Sequence, residues 1–166
     1  MKNEKLKITK LLPAFYFLLS IFLSGCGFDY YFNRGVNSKD QQKKIKYFSK
    51  AIENWEYTKG DKNKTNVYIN RGAAYSTIED YENAINDFTK ALTYSVDSSA
   101  YYNRAVVFAK QKKYDEAIKD LTIAIKINPL LEYAYILRSK LYKKIGKKEL
   151  AEKDFSTASK ISKSAA

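Results

Sequence analysis

Few side chains of this chain could carry chemistry, because histidine is absent and cysteine occurs once, as Cys26. Without histidine the chain lacks the usual general base near neutral pH and the commonest nitrogen ligand for metals. A single cysteine forms neither an intramolecular disulfide nor a cysteine metal cluster. Glycine-rich phosphate loops and convergent pairs of acids are also missing from the pattern. The sequence therefore predicts a protein that is not an enzyme and that holds no metal and no cofactor.

Cys26 follows a segment typical of exported proteins. Residues 1–10 are basic and polar, and residues 11–23 are almost entirely apolar. A charged start followed by an apolar core of this length indicates a secretory signal peptide, because the core is too short for a comfortable membrane span. The alternative is a signal-anchor helix in which Cys26 is incidental.

The four residues Leu23-Ser24-Gly25-Cys26 resemble the lipobox of bacterial lipoproteins. In that family a lipid is attached to the cysteine thiol, the preceding peptide bond is cut, and the new N-terminus is acylated. Two or more acyl chains anchor a protein stably. The resemblance implies cleavage of residues 1–25, a covalent lipid on Cys26 and a lipid-anchored place in the cell envelope. Gly27 favours the outer membrane in enteric-type bacteria, with the protein facing the periplasm or exposed at the surface.

Charged residues recur at fixed intervals in the rest of the chain. One arginine stands in each of four similar segments: Arg34, Arg71, Arg104 and Arg138. One aspartate follows each of the last three: Asp87, Asp120 and Asp154. The arginines could form an anion site, but we expect each to pair with an aspartate of its own or an adjacent unit while its stem packs on tyrosine. Because the first unit has no such aspartate, Arg34 is expected to be the freest of the four.

The segments around these arginines read as paired helices. Apolar residues recur at helical spacing on both sides of a short polar break, which residues 77–80 and 111–113 exemplify. Small residues such as Gly72, Ala84 and Ala91 permit close helix approach, and large rings fill the spaces between helices. Pro129 ends the third unit, because proline cannot continue a helix. Each unit is therefore predicted to be a helix-turn-helix hairpin.

The order of residues within a unit is similar to the tetratricopeptide repeat. Its pattern of aromatic, small and aromatic positions is matched by Tyr68, Gly72, Tyr75, Tyr81, Ala84, Phe88 and Ala91, by Tyr101, Ala105, Phe108, Tyr114, Ala117, Leu121, Ala124 and Pro129, and by Tyr135, Ser139, Tyr142, Ala151, Phe155 and Ala158. The first unit departs from the pattern, since 16 residues separate Ala51 from Gly35 against 19 between Ala91 and Gly72. The resemblance implies an all-α protein, an α-solenoid with three regular repeats and one irregular N-terminal repeat. It covers residues 26–166, with approximate repeats at 28–57, 65–97, 98–131 and 132–163.

Repeats of this family stack so that their first helices line a concave groove. The family's geometry places these residues in the groove: Ile69, Asn70, Ala73, Tyr102, Asn103, Val106, Ile136, Leu137 and Lys140. Such a lining suits a peptide backbone with apolar side chains, and the resemblance implies a scaffold or adaptor that binds a protein or peptide. Tyr102 and Tyr133 are further contact candidates because they lie off the core stripe. Some relatives clamp a terminal carboxylate with Lys, Asn and Arg, but only Asn is in register here, so that clamp is not predicted.

Charge leaves a second kind of partner open. The formal net charge is +12, and the part from Glu132 onward holds nine basic and four acidic residues. A basic last hairpin could attract acidic envelope polymers or lipid headgroups by screened electrostatics, or it could be a solvated, solubilising face. Nucleic acid is not expected as a partner outside the cytosol.

The final helix is predicted to end the stack. Its apolar residues share one side: Leu150, Ala151, Phe155, Ala158 and Ile161. Lysines occupy its other sides, so we expect the helix to give the stack a wettable end, as terminal repeats require.

Overall fold

The computed structural model describes residues 27–55 and 61–164, and the regular structure in these ranges is helical throughout. Cys26 and the export segment lie outside the described residues. Eight helices follow one another: α1 over residues 27–37, α2 (Gln41–Glu53), α3 (Asp61–Thr77), α4 (Tyr81–Tyr94), α5 (Ser98–Lys110), α6 (Tyr114–Ile127), α7 (Glu132–Lys144) and α8 (Lys148–Ser164). Within the described ranges, none of these helices is long and apolar enough to cross a membrane.

The helices form four hairpins, which we number 1 to 4 and which pair α1 with α2, α3 with α4, α5 with α6, and α7 with α8. Phe32 and Phe48 join α1 to α2 with ring centroids 5.8 Å apart. From α2 onward each helix packs on the next, and α3 also touches α5. Packing between successive hairpins gives the all-α solenoid that the sequence predicted.

A shared turn geometry closes the first helix of hairpins 2, 3 and 4. One turn residue in each has a left-handed backbone: Glu79 with φ 63°, Lys112 with φ 61° and Gly146 with φ 79°. The amide of the next residue donates to the carbonyl oxygen five residues earlier, at 2.9–3.0 Å. This arrangement satisfies carbonyls at the helix end and reverses the chain into the second helix.

Aspartates begin several helices. The Asp40 carboxylate accepts from the Lys43 amide at the start of α2, at 3.1 Å. Asp97 does the same at α5, accepting from the amide of Ser99 at 2.8 Å and of Ala100 at 3.0 Å. Such caps satisfy amides that have no partner within the helix.

Close approach inside a hairpin requires a small residue opposite a large one. A Cβ added to Gly72 would lie 2.9 Å from the Phe88 ring, and one added to Gly35 would lie 2.6 Å from the Phe48 ring. In hairpin 3 the glycine is replaced by Ala105 and the phenylalanine by the smaller Leu121, and both residues lie in one buried cluster. In hairpins 1 to 3, therefore, glycine stands opposite phenylalanine and the larger alanine accompanies the smaller leucine.

The last described helix has a polar face, on which the predicted residues Lys153, Lys160 and Lys163 are exposed. In α4 and α6 the stripe that meets the next hairpin is apolar: Tyr81, Ile85, Phe88 and Leu92, and Tyr114, Ile118, Leu121 and Ile125. At the same positions α8 carries Lys148, Glu152, Phe155 and Ser159. The five apolar residues of α8 share one broad side by helical spacing, but they are not buried together: Ala151 and Ala158 are buried, whereas Leu150 is 44% and Phe155 61% exposed. Packing against α7 uses the alanines and turns the larger residues outward.

Candidate functional site

The nine predicted groove residues lie at three equivalent positions of the first helices of hairpins 2 to 4. They are Ile69, Asn70 and Ala73 in α3, Tyr102, Asn103 and Val106 in α5, and Ile136, Leu137 and Lys140 in α7. Ala73 and Lys140 are exposed and the other seven are half-buried. Tyr102 and Leu137 pack against the core cluster that holds Leu121. Each helix thus presents a short strip that is anchored at its base and accessible from outside.

Asn70 and Asn103 hold the polar groups of this strip. Both are half-buried, and neither side-chain amide makes a hydrogen bond to another residue in the ranges 27–55 and 61–164. An amide offers both donors and an acceptor, which are the groups that a peptide backbone can pair with. The two asparagines are therefore available to an extended ligand.

Two predicted groove residues, Asn70 and Ala73, line a cleft of about 180 Å³ between hairpins 1 and 2. The remaining lining residues come from three helices: Val36, Gln41, Lys44, Phe48, Ala74 and Thr77. Sequence reasoning missed Val36 and Lys44, although Val36 stands two residues after Arg34 as Ala73 stands two after Arg71. Val36 is 50% exposed, so it extends the groove surface onto α1.

Tyr102 and Tyr133 meet across hairpins 3 and 4. Their ring centroids lie 4.6 Å apart in an edge-to-face arrangement. Burial raises the pKa of the Tyr102 hydroxyl, and the neighbouring Tyr133 adds to this effect. Tyr133 is 47% exposed, so the pair offers an aromatic surface at the groove.

The arginine ladder, which comprises Arg34, Arg71, Arg104 and Arg138, is mostly scaffold. Each of the last three donates from Nε and Nη2 to both carboxylate oxygens of the aspartate 16 residues later, at 2.7–2.9 Å. Aromatic rings three residues before and four residues after each of these arginines flank the guanidinium at 5.5–5.9 Å. The predicted pairing is confirmed, and the partner belongs to the arginine's own hairpin.

The same arginines also tie neighbouring hairpins together. Nη1 donates to a hydroxyl on the second helix of the preceding hairpin, from Arg71 to Ser49 at 2.9 Å, from Arg104 to Thr89 at 2.9 Å and from Arg138 to Thr122 at 3.0 Å. Sequence reasoning missed these hydroxyls. The available signal was a Thr two residues after Asp87 and again after Asp120.

Burial dominates the electrostatics of the first pair. Asp87 is only 3% exposed, and burial raises the pKa of its carboxyl although the hydrogen bonds from Arg71 oppose this shift. Removing a buried carboxylate from water costs free energy that a facing cation only partly returns. The net contribution of the pair to stability is therefore smaller than its two short hydrogen bonds suggest, whereas loss of one partner would leave the other charge buried and unpaired.

Arg34 differs from its three counterparts. It is exposed, and its Nη2 donates to the Tyr47 hydroxyl at 3.0 Å. This hydrogen bond raises the pKa of Arg34 and lowers the pKa of Tyr47. Arg34 thus lacks a carboxylate, as predicted, but it is not without a contact. Across the described ranges, His, Cys, Asp and Glu form no group that could hold a metal ion.

The fold defines a class of protein: a short α-solenoid built from stacked helical hairpins. Three segments match the tetratricopeptide repeat, at residues 65–95, 98–129 and 132–164, which together make up more than half of the chain. The chain belongs to the tetratricopeptide repeat family, whose fold supports protein–protein interaction. Hairpin 1 is outside the matched segments.

Solved structures of similar fold come from several proteins. A crystal structure of MamA is 22% identical with a TM-score of 0.68, covering 75% of this chain and 70% of that one. MamA 41-end from Desulfovibrio magneticus RS-1 is 16% identical with a TM-score of 0.70, covering 81% and 75%. The second TPR of Spaghetti (RPAP3), bound to the HSP90 peptide SRMEEVD, is 28% identical with a TM-score of 0.58, covering 61% and 96%. No curated protein sequence matches this chain.

Proposed function

We propose that this protein is a lipid-anchored scaffold of the bacterial cell envelope that binds a protein or peptide in the groove of α3, α5 and α7. The observation that carries the proposal is the pair Asn70 and Asn103, half-buried on successive first helices and unbonded within the described chain. Aliphatic and aromatic neighbours beside each asparagine supply apolar contact. Backbone pairing with flanking apolar pockets is a common way to hold an extended peptide.

Support for a peptide ligand also comes from one relative. The RPAP3 domain, 28% identical, holds an HSP90 peptide. That peptide itself is not proposed for this chain, because the clamp for a terminal carboxylate is not in register here. A ligand read through its backbone and apolar side chains fits the present lining better.

The groove is tested by photo-crosslinking in intact cells. A photoreactive amino acid replaces Val106 in the groove, and as a matched control replaces exposed Lys119 on α6. We expect discrete protein adducts from position 106 and none from position 119, with adduct yield falling several-fold in Asn70→Ala/Asn103→Ala. Equal adducts from both positions would contradict the groove.

The anchor rests on Cys26, and its test is separate. Cells fed an alkyne-bearing fatty acid should label the protein, and Cys26→Ala should lose both the label and membrane attachment. Unchanged membrane attachment of the Cys26→Ala protein would refute the lipid anchor and leave the groove untouched.

One observation favours acidic polymers or lipid headgroups as the alternative partner. Eight lysines on hairpin 4 are exposed and form no ion pair within the described chain: Lys140, Lys143, Lys144, Lys147, Lys148, Lys153, Lys160 and Lys163. Binding through these lysines should weaken steeply as salt rises, whereas groove binding should persist. Crosslinking that recovers only lipid or glycan would favour this alternative.

A further inference from the structure

The first position of the arginine ladder lacks its carboxylate for a clear structural reason. Tyr47 precedes Phe48 as Asp87 precedes Phe88, so a phenol stands where hairpins 2 to 4 have an aspartate. In those hairpins the guanidinium donates to two carboxylate oxygens and to one hydroxyl of the preceding hairpin. Arg34 has one hydrogen bond in place of three, to the Tyr47 hydroxyl.

Arg34 nevertheless contacts two aromatic rings. Its guanidinium carbon lies 5.2 Å from the ring centre of Tyr47 and 5.8 Å from that of Tyr30. Its Nε and Nη1 donate to no other residue that the structure describes. A guanidinium that contacts two rings and has unpaired N–H donors can bind a planar acceptor with two oxygens, such as a carboxylate.

Arg34 lines a cleft of about 300 Å³ together with Asn37, Ser38, Lys43 and Tyr47. All five side chains carry hydrogen-bond donors, two are cationic and none is acidic. The Ser38 hydroxyl already donates to the Asp40 carbonyl oxygen at 3.2 Å, which leaves the other four side chains to face a ligand. The nearby Asp40 carboxylate is engaged by the backbone amide of Lys43 at 3.1 Å. The lining therefore has the chemistry of a site for an anionic oxygen group.

The location of the cleft indicates what kind of molecule could bring that group. The other ladder arginines donate to the preceding hairpin, and no hairpin precedes Arg34 among residues 27–55 and 61–164, so Arg34 lies at the first end of the described stack. Positions that are buried and apolar in later hairpins, such as Ala100 and Val107, correspond on α1 to half-exposed Tyr30 and exposed Asn37. This end is too polar to accept another apolar hairpin, as stacking with a second copy would require. A positively charged chain instead attracts acidic segments.

We propose that this cleft binds an aspartate or glutamate side chain of a partner protein, with Arg34 making the two-oxygen contact that its three counterparts make internally. The proposal is independent of the groove, which lies on other residues. A partner could be held at both places, and the end site would fix its direction along the stack.

The test uses the arginine side chains as reporters. The chain has four arginines, so the full-length 15N-labelled protein in nonionic detergent gives four Nε–H NMR signals. The probe is an acetylated, amidated peptide of four aspartates, compared with four asparagines and with inorganic phosphate. We expect the aspartate peptide alone to shift one signal saturably, identified as Arg34 by its loss in Arg34→Gln.

Two variants and one control decide the outcome. Arg34→Gln should weaken peptide binding about tenfold, the loss typical of a charge-assisted contact. Tyr47→Asp, which supplies the carboxylate found in the other hairpins, should weaken it as much while Arg34 remains. Lys119→Gln removes one distant charge and should change binding less than about twofold. The three other Nε–H signals show whether each variant is folded.

Contrary results are equally specific. An unshifted Arg34 signal would overturn the proposal, as would binding that survives Arg34→Gln and Tyr47→Asp. Phosphate that binds as tightly as the aspartate peptide would overturn the assignment to a protein carboxylate and indicate a small-anion site.

Discussion

At the scale of single residues, each ladder arginine of hairpins 2 to 4 performs two structural tasks. It pairs with an aspartate of its own hairpin, and it donates to a hydroxyl of the preceding one. The guanidinium is planar with donors on several sides, so one side chain can make both contacts. A lysine at this place could not reproduce that geometry.

We predict that Asp120→Asn lowers the free energy of unfolding by about 2–4 kcal/mol, because it leaves the Arg104 charge half-buried without its counter-charge. Thermal unfolding followed by circular dichroism measures the change. Asp115→Asn, on an exposed first-turn residue of the same helix, is the control and should alter stability by less than about 0.5 kcal/mol. Equal melting temperatures for wild type and Asp120→Asn would refute a stabilising role for the pair.

The recurrence of aspartate made these pairs predictable, whereas the partner of Arg34 was not. A fixed spacing predicts the partner of an arginine only where the repeat has its regular length, and the first unit is shorter than the others. Tyr47 stands four residues before Ala51 as Asp87 stands four before Ala91, but only the packing of α1 on α2 shows that its hydroxyl accepts a hydrogen bond from Arg34.

At the scale of elements, the size of a small residue on one helix matches the size of the large residue that it faces on the partner helix. Gly72 faces Phe88 and Ala105 shares a cluster with Leu121. Interiors packed at crystal-like density transmit even one added methyl group to the neighbouring side chain. The pairs are expected to behave as units and not as independent residues.

We predict that Gly72→Ala lowers the free energy of unfolding by about 1–2 kcal/mol, since overpacking against Phe88 and the Ala84 carbonyl exceeds the helix-propensity gain of alanine. In Gly72→Ala/Phe88→Leu the shorter side chain makes room, so the loss should be smaller than the sum of the single losses by about 1 kcal/mol. Denaturant unfolding of the wild type, Gly72→Ala, Phe88→Leu and the double variant measures the four free energies that this comparison needs. Strict additivity would show that the two residues do not compete for the same space.

Helix positions and hairpin pairing could be read from apolar spacing and polar breaks, because those patterns act over a few residues. The faces of α8 could not be read in this way. Five apolar residues fell within one broad side by helical spacing, but α7 covers only the alanines. Which part of an apolar side is buried depends on the neighbour, and hairpin 4 has no following hairpin in the described chain.

At the scale of the whole molecule, the two ends of the stack differ from its middle. Lysine, glutamate and serine replace apolar residues on the outer stripe of α8, and Tyr30, Arg34 and Asn37 form the outer strip of α1. Terminal repeats need such polar faces to stay soluble. The first end adds an open guanidinium, which the last end does not have.

We predict that the phenylalanine position of the second helix contributes more to the free energy of unfolding in the middle of the stack than at its end. Phe88→Ala should lower the free energy of unfolding by about 3–5 kcal/mol because Phe88 is fully buried. Phe155→Ala, at the equivalent position of hairpin 4 but 61% exposed, should lower it by less than about 1 kcal/mol. Chemical denaturation compares the two. Comparable losses would mean that the face of α8 is covered in solution.

The sequence by itself determined the repeat, the hairpins, the solenoid and the aspartate partners of three arginines, because each depends on residue types recurring at a fixed period. Tertiary structure decided the hydroxyl contacts between hairpins, the cleft beside Asn70, the outer face of α8 and the environment of Arg34. These features depend on which surfaces meet and which remain uncovered, and a one-dimensional pattern does not contain that information where the repeat breaks or ends. Its first and last units are therefore where the structure added most.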